Sequence, residues 1–501
     1  MSDATHPPSA TDRDGIGLLR QALRSAGYEP DRMAVMLRSE TGSLTPRPQD
    51  VQVIVRYLPE RDRLADLMKL FLLRLEIPAA RAADALAPLP LERAERIGVV
   101  ARDGDVVRGT VRILPSGTLV FASDRELESD PDIPADHVMG VSQSSIFLAS
   151  LTVREMVADV LDVGCGGGIQ SVIAAQHAKR VVACDINARA LAFTAFNAQL
   201  NGMTNVETRE GSFFEPVKDE RFDLIVSNPP FVISPASAIV FRDGGMRGDD
   251  VSRMVVREAA AHLRDGGLAF VLVSWGMPLG ARWEQPLEAW VGDLGCDAWF
   301  LHQGSAVPIG YATTWNEPLQ RADPAAFGRA LDEWTRYYAE LGYASLGYGA
   351  VVLRKRRAAS HWTRADDLQG QREPLSGAQI AQLIAAEDYV RSRSDEQLLA
   401  ARFTREPEHR LDQTLRAHDG AFAVESATLR LESGIRFSVP IDAFTAELFA
   451  RLDGATTLTD AARAASARFA NEGFSEADFA TEACAVIRRL LSIGLVHVPK
   501  R

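Results

Sequence analysis

Two short stretches carry residue types that can do chemistry: LDVGCGGG (Leu161 to Gly168) and SNPPF (Ser227 to Phe231). The first follows an apolar strand pattern and precedes a helical one. A tight turn there brings backbone amides and a helix N-terminus against a ligand. Glycine permits that approach, because a Cβ would block it. Gly164, Gly166, Gly167 and Gly168 give G-x-G-G-G, with Ile169 in the sixth place. That departs from the dinucleotide fingerprint, and no GK[ST] follows to make a phosphate loop. The second stretch ends a strand and offers polar atoms beside an aromatic ring.

The glycine turn resembles the first motif of class I S-adenosylmethionine-dependent methyltransferases. The resemblance implies S-adenosyl-L-methionine as cofactor, with Gly164, Cys165, Gly166 and Gly168 facing its methionine part. It implies that Asp162 helps bind the methionine ammonium. It also implies that Asp185, ending the apolar strand in VVACDIN, holds the ribose hydroxyls beside Ile186. A carboxylate accepts two hydrogen bonds from a vicinal diol, so the residue type suits that task. Asp185 equally suits a helix N-cap. Relatives often carry an acid after the third strand to contact adenine; EGSFFEP has Ser212 there. Ser212 or the Phe213 backbone then takes that contact, and Phe213 or Phe214 packs on the ring or belongs to the core.

Asn228-Pro229-Pro230-Phe231 resembles the NPP[YFW] signature of methyltransferases that modify planar nitrogens. The group includes release-factor glutamine methyltransferases and N-methyltransferases of adenine, cytosine or guanine. A delocalised amide-type nitrogen is a poor nucleophile. The Asn228 side-chain oxygen and the Pro229 carbonyl can hold both of its N–H bonds and favour a localised lone pair. The prolines fix the backbone, and Phe231 stacks on the flat group. Catalysis is then alignment and charge placement, with Asn228 also bordering the cofactor. The passage Phe241 to Ala259 matches release-factor enzymes in outline, placing Arg242, Asp243, Arg247 and Asp249 near the substrate mouth or in a helix-capping loop. The PRPETE-like segment of those enzymes is absent; GVSQSSIFL stands there, within a stretch (138–151) expected to wall the cofactor site.

From Ala158 strand and helix periods alternate, which argues for a parallel α/β sheet. Strands are expected at 160–164, 180–185, 206–210, 222–227, 267–274, 298–302 and 346–353. Helices are expected at 169–177, 188–201, 250–263, 284–291 and 324–341, with Asp265-Gly266-Gly267 closing the third. The alternation makes the fold class α/β, and the resemblance implies a Rossmann-like, seven-stranded class I methyltransferase sheet. Its flanks are an N-terminal helical plus β-hairpin domain and a C-terminal α+β, winged-helix-like domain. The expected divisions are a disordered tail (1–13), the N-terminal domain (14–135), the catalytic domain (136–357) and the C-terminal domain (358–501).

Over 501 residues the net charge is −12. An acidic total argues mildly against binding long nucleic acid through the whole surface. Arg354, Lys355, Arg356, Arg357, His361 and Arg364 form a local basic cluster, read as a solvated linker or a phosphate contact. The four cysteines form no CxxC pair and no zinc-spaced set, so reduced structural thiols and no metal are expected. No signal-peptide pattern and no membrane-length apolar run is present, and a cytoplasmic location is expected. The function expected is N-methylation of a planar nitrogen in a protein glutamine or a nucleic-acid base. The alternatives are a small-metabolite methyltransferase, with residues 304–342 (Trp315, Trp334) as a lid, or a catalytically silent cofactor-binding regulator. A nicotinamide oxidoreductase is disfavoured by the glycine spacing.

Overall fold

The computed structural model describes residues 6–38, 44, 48–124, 134–235, 244–371, 375–418, 420–469 and 476–499. These form two compact units: 1–149 with 155–369, and 150–154 with 370–501. Arg242 and Asp243 lie outside the described residues.

The first unit is built on one eight-stranded sheet. Its strands are β1 (Val157–Val163), β2 (Ala178–Asp185), β3 (Val206–Glu210), β4 (Phe222–Ser227), β5 (Leu263–Met277), β6 (Cys296–Ala306), β7 (Ser345–Lys355) and β8 (Thr363–Asp367). The order across the sheet is β8-β6-β7-β5-β4-β1-β2-β3. Strands β1 to β5 run parallel, and β7 is antiparallel to both β5 and β6. Seven strands were expected; β8 adds an eighth, pairing parallel to β6 and carrying the sheet past residue 357. The order reverses direction between β1 and β4. In open α/β sheets ligands bind at such a switch point, outside the carboxyl ends of the strands. The glycine turn follows β1 and Asn228 follows β4, so both motifs stand there.

The connecting helices are α1 (Gln143–Leu151), α2 (Ile169–Ala175), α3 (Ala188–Leu200), α4 (Asp250–His262) and α5 (Gln285–Val291). Between β6 and β7 come α6 (Pro308–Trp315), α7 (Glu317–Ala322) and α8 (Pro324–Leu341). Asp265-Gly266-Gly267 does not merely close α4. It sits inside β5, where the register against β4 shifts between Leu263 and Leu268.

The described residues of 13–123 fold as six helices and two small antiparallel sheets. Helices Pro48–Tyr57 and Leu91–Arg96 were not read from the pattern; the first is rich in β-branched residues, which obscures a helical period. Their core is continuous with α3, because Phe193, Phe196 and Leu200 are fully buried among Ile16, Leu19 and Leu67. Burying each such phenylalanine contributes about 1.5–3 kcal/mol. The N-terminal module is thus fastened to the sheet through its second crossover helix. The tail is placed from well before residue 13. Ser9 N–H donates to Ile97 O at 2.9 Å, and Asp12 caps the first helix at Gly15 N (2.9 Å) while pairing with Arg93. Of the expected disordered stretch, residues 1–5 lie outside the described residues.

The second unit contains two three-stranded sheets, ordered 453–457, 402–405, 496–497 and 409–418, 421–431, 438–441. Helices Gly377–Ser392, Ala443–Ala450, Leu458–Ser466 and Glu476–Ser492 accompany them. Phe403, Leu448, Leu458, Ile487 and Leu495 form its core. No helix among the described residues is long and apolar enough to cross a membrane.

Candidate active site

The glycine turn is folded by backbone bonds before any ligand enters. Gly164 N and Cys165 N both donate to Cys184 O, at 2.9 and 3.0 Å, which draws the turn across the end of β2. Gly164, Gly166 and Gly168 have φ of +70°, +53° and +74°, the left-handed region that glycine adopts without strain. At Gly168 there is also no room: a Cβ would lie 2.7 Å from Thr194 Oγ1 on α3. Thr194 Oγ1 in turn donates to Gly166 O at 2.8 Å.

Asp185 holds this turn with both oxygens. Oδ2 accepts from Gly166 N (2.8 Å) and Oδ1 from Asn187 N (2.9 Å). It is not the cap of α3. Asn187 takes that place, accepting from Arg189 N at 2.9 Å. Burial raises the Asp185 pKa from its ordinary value, against the backbone N–H groups that lower it. Ile186, beside it, is 61% exposed.

Asp162 lies deeper, 1% exposed under the turn, and accepts from Ser171 Oγ at 2.6 Å. Its visible work is to join β1 to α2. Burial pushes its pKa up to about 7. The folded chain therefore binds a proton here that the unfolded chain has already released between roughly pH 4 and 7. The stability this site contributes is present below about pH 4 and is lost as pH rises through 7. Asp162→Asn, which cannot ionise, is expected to match wild type in melting temperature near pH 4 and to exceed it progressively from there to about pH 7. Parallel melting curves across that range would show that Asp162 does not titrate this way.

After β3, Ser212 N donates to Glu215 Oε2 at 3.3 Å. Phe214 is buried and stacks on His262 at 4.8 Å, so it belongs to the core. Phe213 is half-buried with φ +46°. That conformation costs a bulky residue about 1–2 kcal/mol, a strain that marks functional turns. Cys165 is a buried thiol held up in pKa by burial, and all four cysteines are free and buried.

The second motif stands beside the first. A Cβ on Gly164 would sit 3.9 Å from Pro229 Cα. Ser227 Oγ donates to Val163 O at 2.8 Å, tying β4 to β1 at the switch point. Asn228 is half-buried, and its Nδ2 donates to Ser144 Oγ at 3.3 Å. Ser144 shares a hydroxyl hydrogen bond with Ser142 (2.9 Å), and Ser142 another with Ser145 (2.9 Å). Gln170 of α2 donates to Ser145 O at 2.8 Å. With Nδ2 so engaged, Oδ1 is the amide's remaining acceptor. Gly244 closes against the same turn, where a Cβ would meet Pro230 O at 2.9 Å. The serines were not singled out individually. The available signal was their place in GVSQSSIFL, the stretch expected to wall the site, which does pack on the glycine turn through Val138 and Met139. Ser144→Ala is expected to lower methyl transfer about fivefold, in line with the ~1 kcal/mol of one hydrogen bond, with cofactor affinity unchanged by calorimetry.

Phe231 packs with Val232 and Ile233 into an aromatic cluster from α6 and α8: Tyr311, Trp315, Trp334 and Tyr338. Tyr338 OH donates to Ile233 O (2.8 Å), Ile233 N donates to Tyr311 OH (3.3 Å), and Gly248 N to Tyr337 OH (2.7 Å). The 304–342 segment is therefore a packed wall beside the motif. Asp249 accepts from Gly276 N at 3.0 Å and is raised in pKa by burial, which is work inside the fold. Arg247 is exposed.

Most of the basic cluster is engaged within the fold and is not a solvated linker; Arg357, by contrast, is 91% exposed, with its Nε 3.8 Å from Asp265. Arg354 and Lys355 belong to β7, and Arg354 and Arg356 both donate to fully buried Asp297. His361 lies 3.5 Å from the same carboxylate, and Arg364 pairs with Asp366 over the Trp299 ring.

An open α/β sheet with a glycine turn and an Asn-Pro-Pro-Phe turn side by side at its switch point, and a strand-end acid holding the first, defines a class I S-adenosylmethionine-dependent methyltransferase domain. Residues 140–289 match the Methyltransferase small domain. Residues 25–110 and 381–498 match two domains of unknown function. The release factor glutamine methyltransferase of Xylella fastidiosa is 36% identical over 138 residues, 25% of this chain and 49% of that protein. That of Geobacter sulfurreducens is 38% identical over 136 residues, 24% and 46%. The ribosomal RNA small subunit methyltransferase C of Escherichia coli is 33% identical over 141 residues, 28% and 38%. The chain thus spans less than half the length of each.

The residues present fit S-adenosylmethionine, the cofactor of this class. The turn is free of Cβ atoms at its glycines. The two bonds that Asp185 accepts leave lone pairs, since a carboxylate has about four acceptor sites. Exposed Ile186 offers a flat ring an apolar surface. When bound, the cofactor supplies an electrophilic methyl group on a sulfonium.

Proposed function

We propose that this chain methylates a planar nitrogen and that the nitrogen is a side-chain amide of a protein. The carrying observation is the Asn228 amide, oriented by Ser144 and followed by Pro229, whose backbone lies against the glycine turn. Its Oδ1 and the Pro229 carbonyl accept the two N–H bonds of the acceptor, while Phe231 supports the flat group. Asp185 holds the ribose hydroxyls, Gly164 to Gly168 and Asp162 flank the methionine part, and Ile186, Ser212 and Phe213 flank adenine.

The protein acceptor is supported by the surface around the motif. From Gly244 to Ser345 the chain carries 8 arginines, no lysine and 13 acids. Nucleic-acid affinity comes chiefly from cations on phosphates, and Arg354 and Arg356 of the basic cluster beyond are already engaged by Asp297. Leu279, Val307 and Ile309, which follow the ends of β5 and β6, are 91%, 60% and 48% exposed, a surface suited to protein contact. The second reading, a base in RNA, draws on the similarity to the ribosomal RNA enzyme.

The test is transfer of labelled methyl from S-adenosylmethionine into a lysate of cells lacking this protein, with protease and nuclease digests in parallel. Label lost to protease alone is the expected result. Label lost to nuclease makes the acceptor a base. Label resistant to both, in a small-molecule fraction, makes it a metabolite. No label with cofactor binding intact leaves a silent regulator.

A further inference from the structure

Helix α3 pairs with a strand of the N-terminal module through two asparagine side chains. Asn201 accepts from Val120 N at 2.9 Å and donates to Val120 O at 2.7 Å. Asn197 accepts from Ala122 N at 2.7 Å and donates to Ala122 O at 2.8 Å. Each amide thus does what a peptide of a neighbouring strand would do. The match is geometric: residues i and i+4 on a helix rise about 6 Å, close to the ~6.8 Å between i and i+2 on a strand. Strand Leu119–Ser123 pairs only with Arg112–Ser116 in its own sheet, and the asparagines satisfy its other edge.

Each Nδ2 makes one further bond, and the two differ in where it goes: that of Asn201 donates to Asn197 O at 2.8 Å, at its own helix end. Asn197 is fully buried, and its Nδ2 also donates to Gly167 O, at 2.8 Å, in the glycine turn. The strand demands one acceptor and one donor from this amide, which fixes its orientation and so aims the second N–H at Gly167. The module reaches the turn again nearby. A Cβ on Gly167 would lie 3.9 Å from Ala122 O and 3.6 Å from Met139 O. Two residues beyond Ala122, Asp124 pairs with Arg189 of α3 and accepts from Val138 N at 2.8 Å. Asn187, adjoining the Asp185 turn, donates through Nδ2 to Asp136 O at 2.9 Å.

We propose that Asn197 is a positioning residue for the cofactor turn, and that the N-terminal module is a working part of the cofactor site. The strand orients Asn197, Asn197 fixes the Gly167 carbonyl, and that carbonyl fixes the direction of the neighbouring amides. The proposal rests on the reading of Gly164–Gly168 as the cofactor turn.

Asn201 supplies the matched control, since Asn201→Ala removes the equivalent two strand bonds and one bond at its own helix end, and leaves the turn alone. Calorimetric titration of the full chain with S-adenosylhomocysteine, alongside melting temperatures, separates the roles. Asn197→Ala is expected to weaken binding at least tenfold, and Asn201→Ala less than twofold, at similar loss of melting temperature. Equal weakening by both, or none by Asn197→Ala, overturns the proposal. If Asn197→Ala does not fold, Asn197→Asp is the second variant. It keeps the acceptor for Ala122 N and loses both donations, with the same tenfold expectation against Asn201→Asp. A wild-type chain that binds no S-adenosylhomocysteine overturns the cofactor reading itself, and the proposal with it.

Discussion

Asn228→Ala is expected to reduce methyl transfer by about 10²–10³-fold, or roughly 2.7–4 kcal/mol of barrier, the scale seen when one preorganised dipole is removed from a reacting centre. As a planar nitrogen attacks, positive charge grows on it and its N–H bonds become stronger donors. Acceptors fixed in advance therefore hold the transition state more tightly than the ground state. Two such acceptors are present in the Asn228 oxygen and the Pro229 carbonyl, and alanine removes the first. The remaining carbonyl then holds one N–H, and the nitrogen rotates away from the reacting line. Cofactor affinity is expected to stay within about twofold of wild type, because Asn228 is tied to Ser144 and not to the glycine turn. Label transfer at saturating cofactor measures the first effect and calorimetry the second. Near-normal turnover would take Asn228 out of the chemistry; a large loss of cofactor affinity would make it a binding residue instead.

Asp185→Ala is expected to weaken cofactor binding on the order of 100-fold, since hydrogen bonds to a charged group are worth about 1.5–3 kcal/mol. The carboxylate acts twice. It holds Gly166 N and Asn187 N, which set the shape of the turn, and in the proposed reading it accepts the ribose hydroxyls. Asp185→Asn is expected to be almost as damaging, because its NH₂ must face one of two backbone N–H groups, donor against donor. A binding isotherm unchanged by either substitution would end the ribose assignment.

Much of this site was legible in the chain itself. Strand β4 was placed at Phe222–Ser227, ending just before Asn228, as it is found. The tight glycine turn and the acid at the end of β2 followed from local chemistry: turn composition, strand period and side-chain type are set by residues adjacent in sequence. The partners of those residues were not legible. Ser144 reaches Asn228 across 84 residues, Asn197 reaches Ala122 across 75, and Tyr338 reaches Ile233 across 105. The basic run read as a linker or phosphate contact because its partner, Asp297, lies 57 residues before Arg354 and is fully buried in the adjacent strand. Sequence alone determined which groups this protein offers and on which strand ends they stand. Tertiary structure decided how each group is oriented and which charges are already spent, because orientation and pairing depend on contacts that only the order of strands in the sheet brings together.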